Sequence, residues 1–399
     1  MRKHTAGSVS DRKGRPVRWL IALIMLQVAG LLSGAAHADT LWTPSVRLIG
    51  TYDDNIIFSH TDPVDDYIYN IEPSLQLDYR RERAEIHTKG SAFIRRYQDN
   101  DDLDNENYDF DFMSEIKPSE RLGIRGFYRL IKDTTLDSEL LETGRIFTRE
   151  DRLSQEGRLI PSFNLTERLR IDLSGRYRVV DYDSDTEIDY SVWDVDLPIR
   201  WRLVTQIDSI YISPGYSDRD SDANSSKSYK LRLGWDHSST ERLSFNFSAG
   251  ARYTEHEQAG SSETEKKWNG IGDLKLKYKY ETGEFNTELQ HDLRTTADGN
   301  QVNLTRVFAS LKWNFTERMG IKLNGRYYYT VTEGETSKDK REYYLVGPQL
   351  FYNLTENHII FIAYDYAQDY QKDLTVEPRV DRQRIMAGIS LNFPMTPSI

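Results

Sequence analysis

From Thr43 onward, apolar and polar residues alternate with a period of two over unusually long stretches. Across residues 168–179, Leu169, Ile171, Leu173, Gly175, Tyr177 and Val179 share one face; Arg170, Asp172, Ser174, Arg176 and Arg178 share the other. Residues 243–253 repeat the pattern, with Leu243, Phe245, Phe247, Ala249, Ala251 and Tyr253 on the apolar face. A period of two makes such stretches strands with one apolar and one polar face. They exceed the roughly 5–6 residues usual in a soluble sheet. Glycine and alanine sit among the large apolar residues, and Tyr and Trp gather toward the segment ends, as in interfacial girdles. The pattern predicts an all-β fold, a transmembrane antiparallel up-and-down barrel. Mean hydropathy is −0.67, because a barrel turns only every second side chain to lipid.

The first 38 residues stand outside this pattern. A basic segment with Arg2, Lys3, Arg12, Lys13, Arg15 and Arg18 precedes an apolar run from Trp19 to Leu32 and small residues ending Ala36-His37-Ala38. That is a secretory signal peptide with cleavage expected between Ala38 and Asp39, leaving 39–399 as the barrel. The leader holds six of the 52 basic residues and one of the 63 acids, so cleavage takes the net charge from −11 to −16. So acidic a chain argues against nucleic acid as a partner. With no cysteine, disulfides and Cys-based metal sites are excluded.

Short connections recur with related sequences: Lys117 to Leu122 (KPSERL), Asn164 to Leu169 (NLTERL), Ser238 to Leu243 (SSTERL), Asn314 to Met319 (NFTERM) and Tyr352 to His358 (YNLTENH). Residues 80–86, 204–209 and 280–285 are their relatives. The intervening connections are longer and acidic: residues 99–106, 133–149, 218–226 and 255–266. With a first strand near 45–53 and a last near 382–393, the tally is about 18 strands, with about 16 as the alternative. Short turns belong in the periplasm and long loops outside, so both termini are expected in the periplasm of a diderm bacterium. Phe393 reads as the terminal aromatic that a barrel assembly machinery recognises, followed by a short tail.

At this strand number side chains alone do not fill the lumen, and an aqueous channel is expected. With cleavage after Ala38, no plug domain is expected before the first strand. The loop at 133–149 is the best candidate to fold inward, with Leu136, Leu140, Leu141, Ile146 and Phe147 for packing; an external position is the alternative. The inward face leans basic. Its candidate pore-lining residues are Arg125, Arg129, Arg170, Arg176, Arg178, Arg200, Arg202, Lys230, Arg232, Lys275, Lys277, Arg306, Lys312, Lys322 and Arg326. Asp172, Asp194, Asp196, Asp236, Asp273, Glu288 and Asp292 intersperse. Such charges either pair and stiffen the wall or draw anionic solutes. Phe93, Tyr97, Phe127, Tyr190, Phe308 and Tyr328 lie on the same face, as stacking surfaces for sugars or as markers of strand ends.

Catalysis is not expected. Asp236-His237 and His291-Asp292 are sequence neighbours and point to opposite faces of a strand, and no nucleophile motif accompanies them. Asp218, Asp220 and Asp222 have alternating spacing but lack the glycine and distal glutamate of a calcium loop, so neither a metal nor another cofactor is expected. These acids suit the lipopolysaccharide surface.

Tyr52-Asp53-Asp54-Asn55, with Asp66-Tyr67-Ile68 and Ile71-Glu72-Pro73-Ser74-Leu75, resembles a signature of the β-barrel porin 2 type outer-membrane family, often found with exopolysaccharide assembly systems. The resemblance implies a passive porin exporting an exopolysaccharide, partnered by a periplasmic polysaccharide export protein. The alternatives are a general or anion/sugar-uptake porin, and a structural or adhesive barrel.

Overall fold

The structure is a computed structural model that describes residues 39–145, 149–184, 186–204, 207–238, 242–258, 264–333, 338–372 and 379–396. The leader and the cleavage position at Ala38 lie outside them. Eighteen strands form one closed antiparallel sheet. They are β1 (Asp39–Asp53), β2 (Asp66–Arg81), β3 (Ala84–Tyr97), β4 (Asn105–Ile116), β5 (Leu122–Thr134) and β6 (Asp151–Asn164). Then come β7 (Leu169–Asp172 with Ser174–Tyr182), β8 (Tyr190–Asp196 with Ile199–Arg202), β9 (Asp208–Ser221), β10 (Asn224–Ser238), β11 (Leu243–Gln258) and β12 (Thr264–Tyr280). The last six are β13 (Gly283–Thr295), β14 (Gln301–Asn314), β15 (Met319–Glu333), β16 (Lys338–Asn353), β17 (His358–Lys372) and β18 (Arg379–Asn392). β18 pairs back onto β1 from Ser45↔Asn392 to Asp53↔Arg384, and a Trp42↔Met395 bridge extends the seam.

Prolines interrupt β7 and β8 in mid-wall. Leu173 donates to the carbonyl of Pro161, Asp172 to Pro198 and Leu197 to Pro214, and no proline can return the bond. The register is the same on both sides of each break, so each remains a single strand.

The repeated turn motif has a local cause. The Thr166 hydroxyl accepts from the backbone of Arg168 and Leu169 (3.2 and 3.0 Å), and Thr316 and Thr355 do the same in their turns. Ser119 accepts from Leu122 at 3.1 Å. These hydroxyls replace ladder bonds that a tight reversal cannot make.

Leu231, Leu233, Phe247, Ile362 and Ile385 form part of the exposed outer band. Trp201, Trp313 and Phe315 rim its short-turn end, and Tyr67, Tyr69 and Trp268 the loop end. This is the surface of an outer-membrane barrel. Both ends of the described chain lie at the short-turn rim. The structure corrects several boundaries. β1 begins at Asp39 rather than near 45, and the expected acidic loop at 218–226 is largely strand, β9 and β10 being joined by residues 222–223. At 14 and 15 residues these strands exceed the ~9–11 that span a bilayer, so the hairpin stands proud of the membrane.

Candidate functional site

The loop between β5 and β6 turns into the barrel as helix α1 (Thr135–Glu142). Thr134 caps it by accepting from Asp137 N–H (3.4 Å). Leu136 and Leu140, one turn apart, face the same way. They pack with Phe58, Leu304, Tyr328, Tyr343, Leu345, Ala367 and Val380 in the main buried apolar cluster, which lies inside the lumen against β14–β18. Gly144 ends the helix at φ +71°, and a Cβ there would lie 2.6 Å from Tyr328 Cβ, so both backbone and space require glycine. Ile146 and Phe147 lie outside the described residues.

The opposite side of α1 is charged and held by other strands. Asp137 pairs with Arg95 on β3 at 3.1 Å. Glu142 pairs with Arg152 on β6 (3.1 Å) and Arg178 on β7 (2.8 Å). Tyr328 donates to the Leu141 carbonyl (2.6 Å), and just past the helix Arg145 meets Asp339 on β16 at 3.3 Å. α1 therefore crosses the lumen and narrows it. Phe93, Phe308 and Tyr328 line the 650 Å³ cavity beside it. Tyr97 and Tyr190 are buried in packing clusters, Tyr190 also lining the cavity on the other side of the lumen.

The signature residues support the same constriction. Asp53, 0% exposed, accepts from Arg382 Nε at 3.0 and 2.9 Å, tying β1 to β18. Asn55 donates to the carbonyls of Ser59 (2.9 Å) and Asp381 (3.2 Å). This short loop presents Phe58, at φ +53°, to Tyr343 and α1. Asp54 accepts from Gln383 N–H, and Tyr52, facing outward, donates to Asp65.

A 370 Å³ cavity on the other side of the lumen is lined by ten basic and five acidic side chains. Its carboxylates are shared. Asp194 holds Arg176 (2.5 Å) and Lys230 (2.7 Å), Asp292 holds Arg232 (2.9 Å) and Arg252 (2.7 Å), and Glu288 holds Arg306 (3.2 Å) and Lys275 (3.5 Å). Glu142 between Arg152 and Arg178 repeats the scheme. One carboxylate between two cations fixes both in place; Asp133 (3.0 Å from Arg152), Glu156 (3.5 Å from Arg176) and Asp273 (4.0 Å from Arg232) add further acids, so the positive surplus is that of the cavity lining as a whole. A third cavity, 630 Å³, opens toward the short turns and is lined by Arg202, Lys275 and Lys277. Glu288 lines all three cavities, so they converge at the Glu288–Arg306 pair.

The structure places the remaining pore candidates on the same inward face. Arg129 pairs with Asp109 (2.8 Å) and Asp111 (3.3 Å), Arg170 with Asp172 (2.7 Å) and Lys277 with Glu284 (3.0 Å). Arg200 contacts Asp236 and stacks on Tyr211, and Arg125 lines a 320 Å³ pocket near the short turns with Arg170. Arg326 lies over Phe308, and Lys312 and Lys322 over Phe351. Arg95, Arg152, Arg252 and Arg294 join the site without having been singled out; each sits at an inward position of its alternating strand. The histidines find partners one strand away instead of in sequence. His237 meets Asp208 at 2.7 Å beside Trp235, and His87 meets Asp78 at 2.6 Å.

No family model and no curated protein matches the chain. Among solved structures it is similar to the outer membrane protein OpdK from Pseudomonas aeruginosa (9% identity, TM-score 0.46, 90% of this chain and 99% of that chain). It is also similar to Pseudomonas aeruginosa OccK9 (11%, 0.46, 89% and 99%) and Acinetobacter baumannii OccAB3 (10%, 0.44, 90% and 100%).

Proposed function

We propose that the chain is a passive outer-membrane channel for uptake of small anionic solutes. The observation that carries this is the excess of bases over acids around the narrowed lumen, with Glu142, Asp194, Glu288 and Asp292 each shared between two cations. The shared acid removes the entropy that free arginine and lysine side chains would lose on meeting a solute. The surplus charge, focused by low-dielectric walls, draws anions inward. α1 across the lumen favours a small solute over a polymer strand, and this reading needs no periplasmic export partner. Reversal potentials in planar bilayers under a KCl gradient test it. Anion preference is expected in the native protein. Replacing Arg232 and Arg252 with Gln should lower it several-fold. A closed or cation-selective barrel overturns the reading. If gene deletion abolished surface polysaccharide and left anion uptake unchanged, export would replace uptake.

A further inference from the structure

Two kinds of wall line the lumen. On β7–β13 every cation-rich stretch carries acids. On β14, β15 and β16 the inward positions hold Arg306, Lys312, Lys322, Arg326 and Arg341, but no carboxylate except Asp339 near the loop end. From Arg306 at the constriction, this wall runs six residues along β14 to Lys312, about 20 Å toward the short turns.

At its foot Lys312 and Lys322 are direct cross-strand neighbours. Like charges in that position destabilise a sheet. Among the described residues neither has a carboxylate partner: Glu284, opposite Lys312 on β13, is held by Lys277 (3.0 Å) and Asn286 (2.7 Å). Both ammonium groups lie over one ring, Phe351, at 5.5 and 5.6 Å from its centroid. The ring itself is set flat on the wall by Gly320, where a Cβ would come within 2.6 Å of Phe351 Cζ. Two cations are thus gathered on a fixed apolar platform, and nothing in the wall neutralises them.

We propose that Lys312 and Lys322 form a second anion-binding subsite, on the short-turn side of the constriction, taking one oxyanion between their two ammonium groups. It rests on the anion-channel reading and extends it. A solute passing Arg306 would move along Arg326 to this pair. The chemistry selects a group with several charged oxygens, phosphate or carboxylate, because one oxygen can face each lysine. Ring and lysine stems give that group a partly apolar seat.

Single-channel currents of the full-length barrel in chloride, titrated with inorganic phosphate and separately with succinate, test the subsite. Native channels should be blocked. Lys312→Gln/Lys322→Gln should raise the half-blocking concentration about tenfold, and Lys312→Arg/Lys322→Arg should keep it near native. Block by phosphate alone would narrow the ligand to phosphate groups; block by both keeps carboxylates. Should the double Gln barrel fail to fold, judged by heat-modifiable mobility, Lys322→Gln alone should give an intermediate shift. A native channel that prefers anions but whose block is unchanged by these variants overturns the subsite and leaves the channel reading standing. A cation-selective native channel overturns both.

Discussion

Glu139 is the residue whose charge the constriction holds least easily. It is 1% exposed, and accepts from the Tyr182 hydroxyl (3.2 Å) and the Thr143 hydroxyl (3.1 Å). Burial, aided by the like charge of Glu142, pushes its carboxyl up to about 7 against the pull of Arg152 and Arg178. For Glu142 burial acts in the same direction, but Arg178 and Arg152 outweigh it and hold the carboxyl well below the usual range. The two acids act oppositely on docking of α1. Glu139 favours docking in its neutral form. Its contribution is full below the ordinary carboxyl value of 4.5 and is lost as pH rises through about 7, on the order of 3 kcal/mol. Glu142 contributes above its ordinary value and loses that contribution in acid. α1 should therefore be firmer near pH 5.5 than at pH 8. Hydrogen exchange of residues 134–145 should show this, and Glu139→Gln should remove the difference. A Glu139→Gln profile that still follows the native one would show that another group sets it.

At the scale of the element, the strands were legible because alternation survives every change of partner, and the strand number because a recurring turn sequence, closed by Ser119, Thr166, Thr316 or Thr355 in four of its copies, marks the hairpins. The direction of α1 was not legible. The helix itself, capped by Thr134 and apolar at Leu136 and Leu140, reads in the sequence only as a loop with residues for packing, and an external loop with the same residues reads identically. The helix turns inward because Arg95, Arg178, Tyr328 and Tyr343 await it on other strands, with Arg152 on the strand that follows it. The pairing of one acid with two bases was hidden for the same reason, since register, and not spacing, brings Asp194 to both Arg176 and Lys230. The signature at 52–55 was legible as a motif, while its role depends on Arg382 at the far end of the chain. Asp53→Asn leaves that guanidinium buried beside a neutral partner, and breaking such a pair typically costs about 3–5 kcal/mol. Loss of the tie should free Phe58 and loosen α1. Single-channel recordings of Asp53→Asn should show larger conductance and more substates than the native barrel. Native conductance and noise would confine the pair to closing β1 on β18.

On the whole molecule, opposite charges are sorted to different places. The chain is acidic overall, with a net charge of −11, its longer connections are rich in Asp, and its lumen has twice as many bases as acids around the 370 Å³ cavity. Both fields act on an entering ion, and they act in opposite senses. Acids on the outer rim repel anions, and the inner wall attracts them. Salt separates the two, because screening shortens from about 10 Å at 0.1 M to about 3 Å at 1 M. Fixed cations at the constriction stand within a few ångströms of a passing ion and outlast the screening better than the outer acids do. If the rim limits entry, anion preference should rise with salt as its repulsion fades. If the shared-carboxylate wall dominates at every distance, preference should be highest at low salt and decline gradually. The excess bases of the cavity lining are fixed beside the solute path, and the rim acids are spread over hairpins that stand clear of the membrane, so the second behaviour is expected. Reversal potentials measured from 0.05 to 1 M KCl under a constant gradient ratio decide it. An increase with salt would move control of selectivity from the lumen to the rim.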